Sequence, residues 1–176
     1  FLLTMPGAPF IYYGDEIGLR YVENLVSVEG GYSRTGSRSP MQWNHGVNFG
    51  FSNASPEKLY IPTDPEPNSP TAEDQINDPD SLYHEVKKLI AIRRANSALL
   101  SDGDIEFVSD GADGAPLAYI RSSADEKILV VVNPADREAV LEVPGTWNVC
   151  LYTVGGIVKA EHGKLIVAPK SANLLK

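Results

Sequence analysis

From about Gly103 to its last residue the chain breaks into short runs of β-branched, aliphatic and aromatic residues, and this pattern constrains the fold more than anything else in it. The runs are residues 105–109, 117–122, 127–133, 138–143, 146–153, 165–167 and 172–175. Turn-forming strings such as DGADG, NPAD, PGT and GG separate them. Gly, Pro, Asn and Asp supply the backbone angles that reverse a chain within a few residues. Short strands at that spacing predict an all-β antiparallel sandwich.

Upstream, one stretch carries a clear helical period. In residues 81–96 (SLYHEVKKLIAIRRAN), Leu82, Val86, Leu89 and Ile90 fall at i, i+4, i+7 and i+8 and form one apolar stripe. Asp78, Asp80 and Ser81 supply caps and negative charge at its start, and Arg93 and Arg94 sit where the helix dipole favours cations. Residues 1–18 are apolar and aromatic, with Pro6, Gly7 and Pro9 placed to break a helix. FIYY at residues 10–13, closed by Gly14, predicts a buried strand of a parallel sheet. Residues 19–80 show no sustained period and include PTDPEPNSP at 62–70, which predicts a functional loop or disorder.

Composition removes several function classes. At 176 residues the chain is one domain or two small ones, by the rule of roughly 150 residues per domain. Lys and Arg total 15 against 23 Asp and Glu, a net charge of −8, so no basic face is available for a phosphate backbone. The longest clean aliphatic run, residues 128–132, is far short of the ~20 residues a membrane helix needs. A single cysteine, Cys150, excludes an internal disulfide and a cysteine-built metal site. The same absence of a disulfide framework leans toward a cytoplasmic location. The chain opens on Phe1 with no charged stretch ahead of its apolar start, which is unlike a signal peptide and reads as a piece of a longer protein.

The candidate motifs each have a plain alternative. YHEVKK at 83–88 lacks the second His that a zinc-protease helix requires, because Lys88 stands at that position. His45, His84 and His162 have no ligand spacing, so no metal and no cofactor is expected. The acidic strings at 102–106 and 110–114 fit hairpin turns rather than a calcium loop. Asn53-Ala54-Ser55 is a glycosylation sequon of the kind that occurs by chance. GDE at 14–16 follows the predicted strand, where barrel enzymes place chemistry, and paired carboxylates serve glycoside hydrolysis. Alternatively, Asp15 and Glu16 hold the loop in place. SRSPMQW at 37–43 combines an Arg, an amide and an aromatic ring, the groups that recognise sugars. Its other reading is a loop plugged into a core by Met41 and Trp43.

Together these strings resemble the α-amylase superfamily, glycoside hydrolase family 13. MPGAPFIYYGDEIG (5–18) resembles the eighth barrel strand and its following loop. SRSPMQW with FGFS (49–52) resembles the loop of the α-glucosidase branch, which includes oligo-1,6-glucosidases and trehalose synthases. DPDSLYHEVKKLIAIRRANSALL (78–100) resembles the last barrel helix and its exit. The remainder, down to PKSANLL, is similar to the family's C-terminal β-domain. The first three strings are specific in combination, and the β-domain matches by position and pattern.

The resemblance implies a fold and a division of labour. A (β/α)8 barrel takes about 250 residues. Residues 1–102 would therefore be only the C-terminal end of a barrel (eighth strand, long loop, last helix), and residues 103–176 the β-sandwich. The family's catalytic aspartate nucleophile, glutamate acid/base and stabilising aspartate follow earlier strands and have no counterpart here, so no catalytic residue is expected in this chain. Glu16 matches a position that is structural in the family. Arg38 matches an arginine that resembles a ligand of the non-reducing-end glucose, a role its planar donors suit. Ser39 departs mildly from the Thr of many relatives, and Arg34 is a second candidate.

The implied parent is a retaining α-glucosidase-like hydrolase or transglucosidase acting on an oligosaccharide. A maltose-isomerising trehalose synthase is the alternative within that class, and a stand-alone carbohydrate-binding or interaction module the alternative outside it. The chain itself is expected to be inactive. Because the strand at 10–13 has no neighbours in this sequence, the chain is also expected to self-associate, with the loop around 62–70 mobile.

Overall fold

The computed structural model describes residues 1–161 and 164–176, so His162 lies outside the described residues. The chain divides into two compact units. One joins Phe1–Pro9 to Leu89–Lys176, and the other is Phe10–Lys88.

The first unit is a sandwich of antiparallel sheets. Its strands are β1 (Asp104–Asp110), β2 (Leu117–Ser122), β3 (Lys127–Asn133), β4 (Ala139–Glu142), β5 (Cys150–Val154), β6 (Lys159–Glu161), β7 (Lys164–Val167) and β8 (Ser171–Leu175). One sheet runs in the order β1-β2-β3-β8-β5 and the other β4-β7-β6. Side chains alternate across a strand, and here both faces of the larger sheet are covered. Ala118, Ile120, Leu129 and Val131 pack with Leu141, Leu165 and Val167 of the smaller sheet. Tyr119, Ile128 and Val130 point the other way, onto Ala98 and Leu99 and the partly buried Met5, Leu89 and Ile92. Two covered faces explain why β3 reads ILVVV without a polar alternation.

The seven predicted strands are present, most within a residue or two of their expected ends. The strand expected at 146–153 begins at Cys150, although Asn148 and Val149 still bond to Lys176 through the backbone. The eighth, β6 (KAE), has no apolar run to announce it. It is a strand because it pairs with β7, Ala160 opposite Leu165.

The second unit is built mostly from loops and short 3-10 turns, at Asp15–Ile17, Thr35–Ser37, Val47–Gly50 and Pro56–Lys58. Its helix α1 (Ala72–Asn77) lies in the region that carried no period. Thr71 caps it, its Oγ1 accepting from the Asp74 amide at 3.1 Å and donating to the Asp74 carboxylate at 2.8 Å. A Thr with an acidic residue three positions on is a capping signal that a search for periodicity passes over. Ile17, Met41 and Ala72, with Leu19 against them, form this unit's only apolar cluster among the described residues.

Two expectations need correction here. Residues 10–13 form no ladder, and Phe10 is 86% exposed. β-branched and aromatic residues make a segment ready to pair, but a strand exists only where a neighbour accepts its hydrogen bonds, and none of the described residues does so. Helix α2 (Leu82–Ala95) matches its prediction almost to the residue, yet Leu82 at the head of the predicted stripe is 46% exposed. Periodicity names the face that can be buried, not the element that buries it. Within the proline-rich stretch at 62–70, Asp64 is buried and ion-paired to Arg20.

Arg93 and Arg121 were not legible as structural residues. Both are buried in the first unit, and both spend their donors on backbone carbonyls. Arg93 donates to Leu3 O at 2.9 Å, Met5 O at 2.8 Å and Gly7 O at 2.7 Å. Arg121 donates to Thr4 O, to Leu100 O at 2.8 Å and to Gly103 O and Asp104 O, each at 3.0 Å. Burial, with the nearby positive charge of Arg93, pulls the Arg121 guanidinium below its usual range. The two guanidinium groups thus clamp residues 3–7 by satisfying carbonyls that would otherwise be buried unpaired.

Candidate functional site

The SRSPMQW string divides its labour residue by residue. Met41 is buried with Ile17 and Ala72, as a core plug should be. Gln42 is fully buried, and its amide donates to Pro70 O at 2.6 Å while its side-chain oxygen has no protein partner. The Gln42 and Trp43 carbonyls accept from Ala72 and Glu73 at 2.8 and 2.9 Å, which fastens the string to the first turn of α1. Trp43 is half exposed, so its ring is not the second core plug.

With that anchoring, Trp43 and Arg38 line a cavity of about 430 Å³ in the second unit. Tyr13, Glu16, Pro40, Met41, Phe51, Tyr60 and Ile61 complete the wall. Tyr13 is positioned by its hydroxyl, which donates to Ser39 O at 3.0 Å. Burial and the neighbouring Tyr12 push its phenol up, and the Arg38 charge pulls the other way. A hydrogen bond to the Glu29 carboxylate pushes the Tyr60 phenol up. The Arg38 guanidinium has no hydrogen-bond or ion-pair partner among the described residues, so its planar donors are unspent. Aromatic faces beside free planar donors suit a sugar, which presents an apolar ring face and hydroxyls at its edge.

The GDE carboxylates serve the turn. Asp15 accepts from the Tyr12 amide at 3.1 Å, and Glu16 from the Gly14 amide at 2.9 Å. Gly14 itself has φ 89°, and a Cβ there would stand 2.2 Å from the Leu19 side chain, so the turn requires glycine. Arg34 lies outside the cavity, with its guanidinium 4.7 Å from the centre of the Tyr32 ring. His45 bonds to Asp74 at 2.8 Å and His84 to Ile76 O at 2.9 Å. No metal-ligand cluster occurs among the described residues, and none of their helices is long and apolar enough to cross a membrane. Phe51, Tyr60 and Ile61 were not anticipated as wall residues. Phe51 lies in the FGFS string at 49–52, and the YIP string ahead of the proline-rich stretch was the one sequence signal for Tyr60 and Ile61.

Two family models match the chain. The α-amylase catalytic domain matches residues 1–103, and the maltogenic amylase C-terminal domain matches residues 105–154. The chain belongs to the α-amylase family, glycoside hydrolase family 13. It is 39% identical over 140 residues to a trehalose synthase of Pimelobacter sp. (strain R48), covering 75% of this chain and 23% of that one. It is 33% identical over 171 residues to a glucan 1,6-alpha-glucosidase of Streptococcus pneumoniae, covering 82% and 31%. The trehalulose synthase MutB from Pseudomonas mesoacidophila MX-45 superposes with a TM-score of 0.81 at 26% identity, covering 99% of this chain and 36% of that one. The chain therefore spans about a quarter to a third of the length of these relatives.

Proposed function

We propose that the chain is the C-terminal part of a retaining α-glucosidase-like hydrolase or transglucosidase acting on α-glucosidic oligosaccharides, with Arg38 binding the substrate. Residues 1–102 are the end of its catalytic barrel and residues 103–176 its β-sandwich. The observation that carries this reading is the unpartnered Arg38 guanidinium on the aromatic-walled cavity. A retaining glycosidase needs a nucleophilic carboxylate and a carboxylic acid flanking the scissile bond. Glu16 is the one carboxylate that lines the Arg38 cavity, and it accepts from the Gly14 amide, so this chain by itself lacks such a pair and is read as inactive. Trehalose synthases among the relatives at 35 to 39% identity favour maltose isomerisation as the second reading.

The test is an assay of the longer enzyme on maltose, isomaltose, sucrose and trehalose, with the 176-residue chain alone as control. The longer enzyme should turn over at least one of them, and trehalose formed from maltose would select the second reading. Turnover of an aryl α-glucoside by the chain alone would overturn the assignment of inactivity. The exposed ring of Phe10 beside half-exposed Tyr12 and Tyr13 supports a further reading, that the chain self-associates. Light scattering after size exclusion should give more than the monomer mass at high concentration, and Phe10→Asp should restore it. A strict monomer would refute this.

A further inference from the structure

Two separate segments contribute to the wall of the Arg38 cavity. Tyr13 and Glu16 belong to the turn that ends at Leu19, while Tyr60 and Ile61 lie just ahead of the proline-rich stretch. The residues that follow each segment meet. Arg20 Nε donates to Asp64 Oδ2 at 2.6 Å and Arg20 Nη2 to Asp64 Oδ1 at 2.5 Å. This is a two-pronged geometry, and the Asp64 side chain is 1% exposed. Asp64 is fixed on its own side by the Glu66 amide at 2.9 Å. Arg20 is fixed on its side because the Leu19 amide closes the turn onto Gly14 O at 2.9 Å. The Tyr60 carbonyl also accepts from the Val28 amide at 2.9 Å, so the second segment has a reporter of its position.

We infer that Arg20 and Asp64 are positioning residues that strap the Tyr60–Ile61 wall to the Tyr13–Glu16 turn and so set the shape of the cavity. Neither needs to touch the ligand. Their effect passes through Tyr60 and Ile61, and its consequence for binding rests on the reading of this cavity as a glucosyl site. The pair differs from an ordinary surface ion pair because one partner is buried and every oxygen of that partner is engaged. The same hydrogen bonding holds the Asp64 carboxyl below its usual range.

Amide hydrogen exchange on the 176-residue chain tests this. Arg20→Met removes both charged hydrogen bonds to Asp64 and should cut protection of the Val28 amide by roughly ten- to a hundred-fold, and Arg20→Lys by less. Iodide quenching of Trp43 fluorescence, read in a Trp147→Phe background, should rise in step. Amides of β3 should keep their protection. If Arg20→Met fails to fold, Arg20→Met with Asp64→Asn removes the stranded charge and should show the same Val28 loss. Unchanged Val28 protection, or an equal loss across β3, would overturn the strap. A Val28 loss in a chain that shows no maltose titration would sustain the strap while the sugar reading fails.

Discussion

The two units hold their shape by different means. In the sandwich, β2 and β3 bury alternate side chains on both faces, and residues such as Tyr119, Ile128, Leu129 and Val131 are fully buried. In the loop-built unit three residues make the apolar cluster, and half-exposed aromatics make the surface. Shape there depends on polar ties, such as Thr71 to Asp74, Gln42 to Pro70 and Arg20 to Asp64. Stability is concentrated where apolar area is buried, and ligand-ready groups are left where it is not.

The largest break in this contrast should come from Leu129→Ala. It empties a closely packed site between sheets and should cost about 2–5 kcal/mol. Thermal unfolding followed by circular dichroism should show a drop of roughly 2–4 °C for each kcal/mol lost in a chain of this size. Met41→Ala should cost less in the same measurement, because the loop unit's cluster is smaller. Equal losses would show that the loop unit carries as much packing energy as the sandwich.

Arg121→Met should come next, at about 1–3 kcal/mol, the range for leaving buried carbonyls unpaired. Arg121→Lys should restore little, since an ammonium cannot reproduce the planar fork that reaches Thr4, Leu100, Gly103 and Asp104 together. Denaturant titration of the three proteins would decide it. Full rescue by Lys would show that charge, not geometry, holds the segment.

Acid should then separate the units. Asp64 has a folded-state pKa depressed by its hydrogen bonds from Arg20. The stabilisation it contributes is present above the unfolded-state pKa and is lost as the pH falls through the folded value. Protection in the loop unit should therefore hold at neutral pH, begin to decline as the pH enters the ordinary carboxylate range, and be lost once it falls below the folded-state value. Asp64→Asn should remove that acid-dependent component. Hydrogen exchange as a function of pH reads it, and a loss centred at neutral pH would contradict the assignment.

The smallest stability effect should be at Arg38. Its guanidinium has no partner among the described residues, so Arg38→Ala should shift stability by no more than about 0.5 kcal/mol. In the longer enzyme the same change should lower kcat/KM by roughly ten- to a hundred-fold, as expected for one charged hydrogen bond to substrate. A variant that melts several degrees lower at full activity would mark Arg38 as a loop anchor and erase the contrast drawn here.

The sandwich was readable because each of its signals is local. Alternating faces, turn residues and a helical stripe are properties of a few consecutive side chains, and Leu117–Ser122, Lys127–Asn133 and Leu82–Ala95 emerge almost as predicted. Arg38 was marked by its string before any geometry was known. Where the outcome depended on a distant partner, local reading failed. KAE at Lys159–Glu161 becomes a strand through β7, whereas FIYY at residues 10–13, with far better strand residues, does not.

Sequence by itself therefore determined the family, the sandwich, the long helix and the arginine worth testing. Tertiary structure decided which charges are structural and which remain free. Arg93 was read as a cation suited to a helix end and Arg121 was passed over, yet both are buried against carbonyls 17 to 117 positions away, while Arg38 keeps its donors. The reason is physical. A guanidinium's role is set by the acceptors within about 3 Å of it, and chain folding, not sequence neighbourhood, brings those acceptors there.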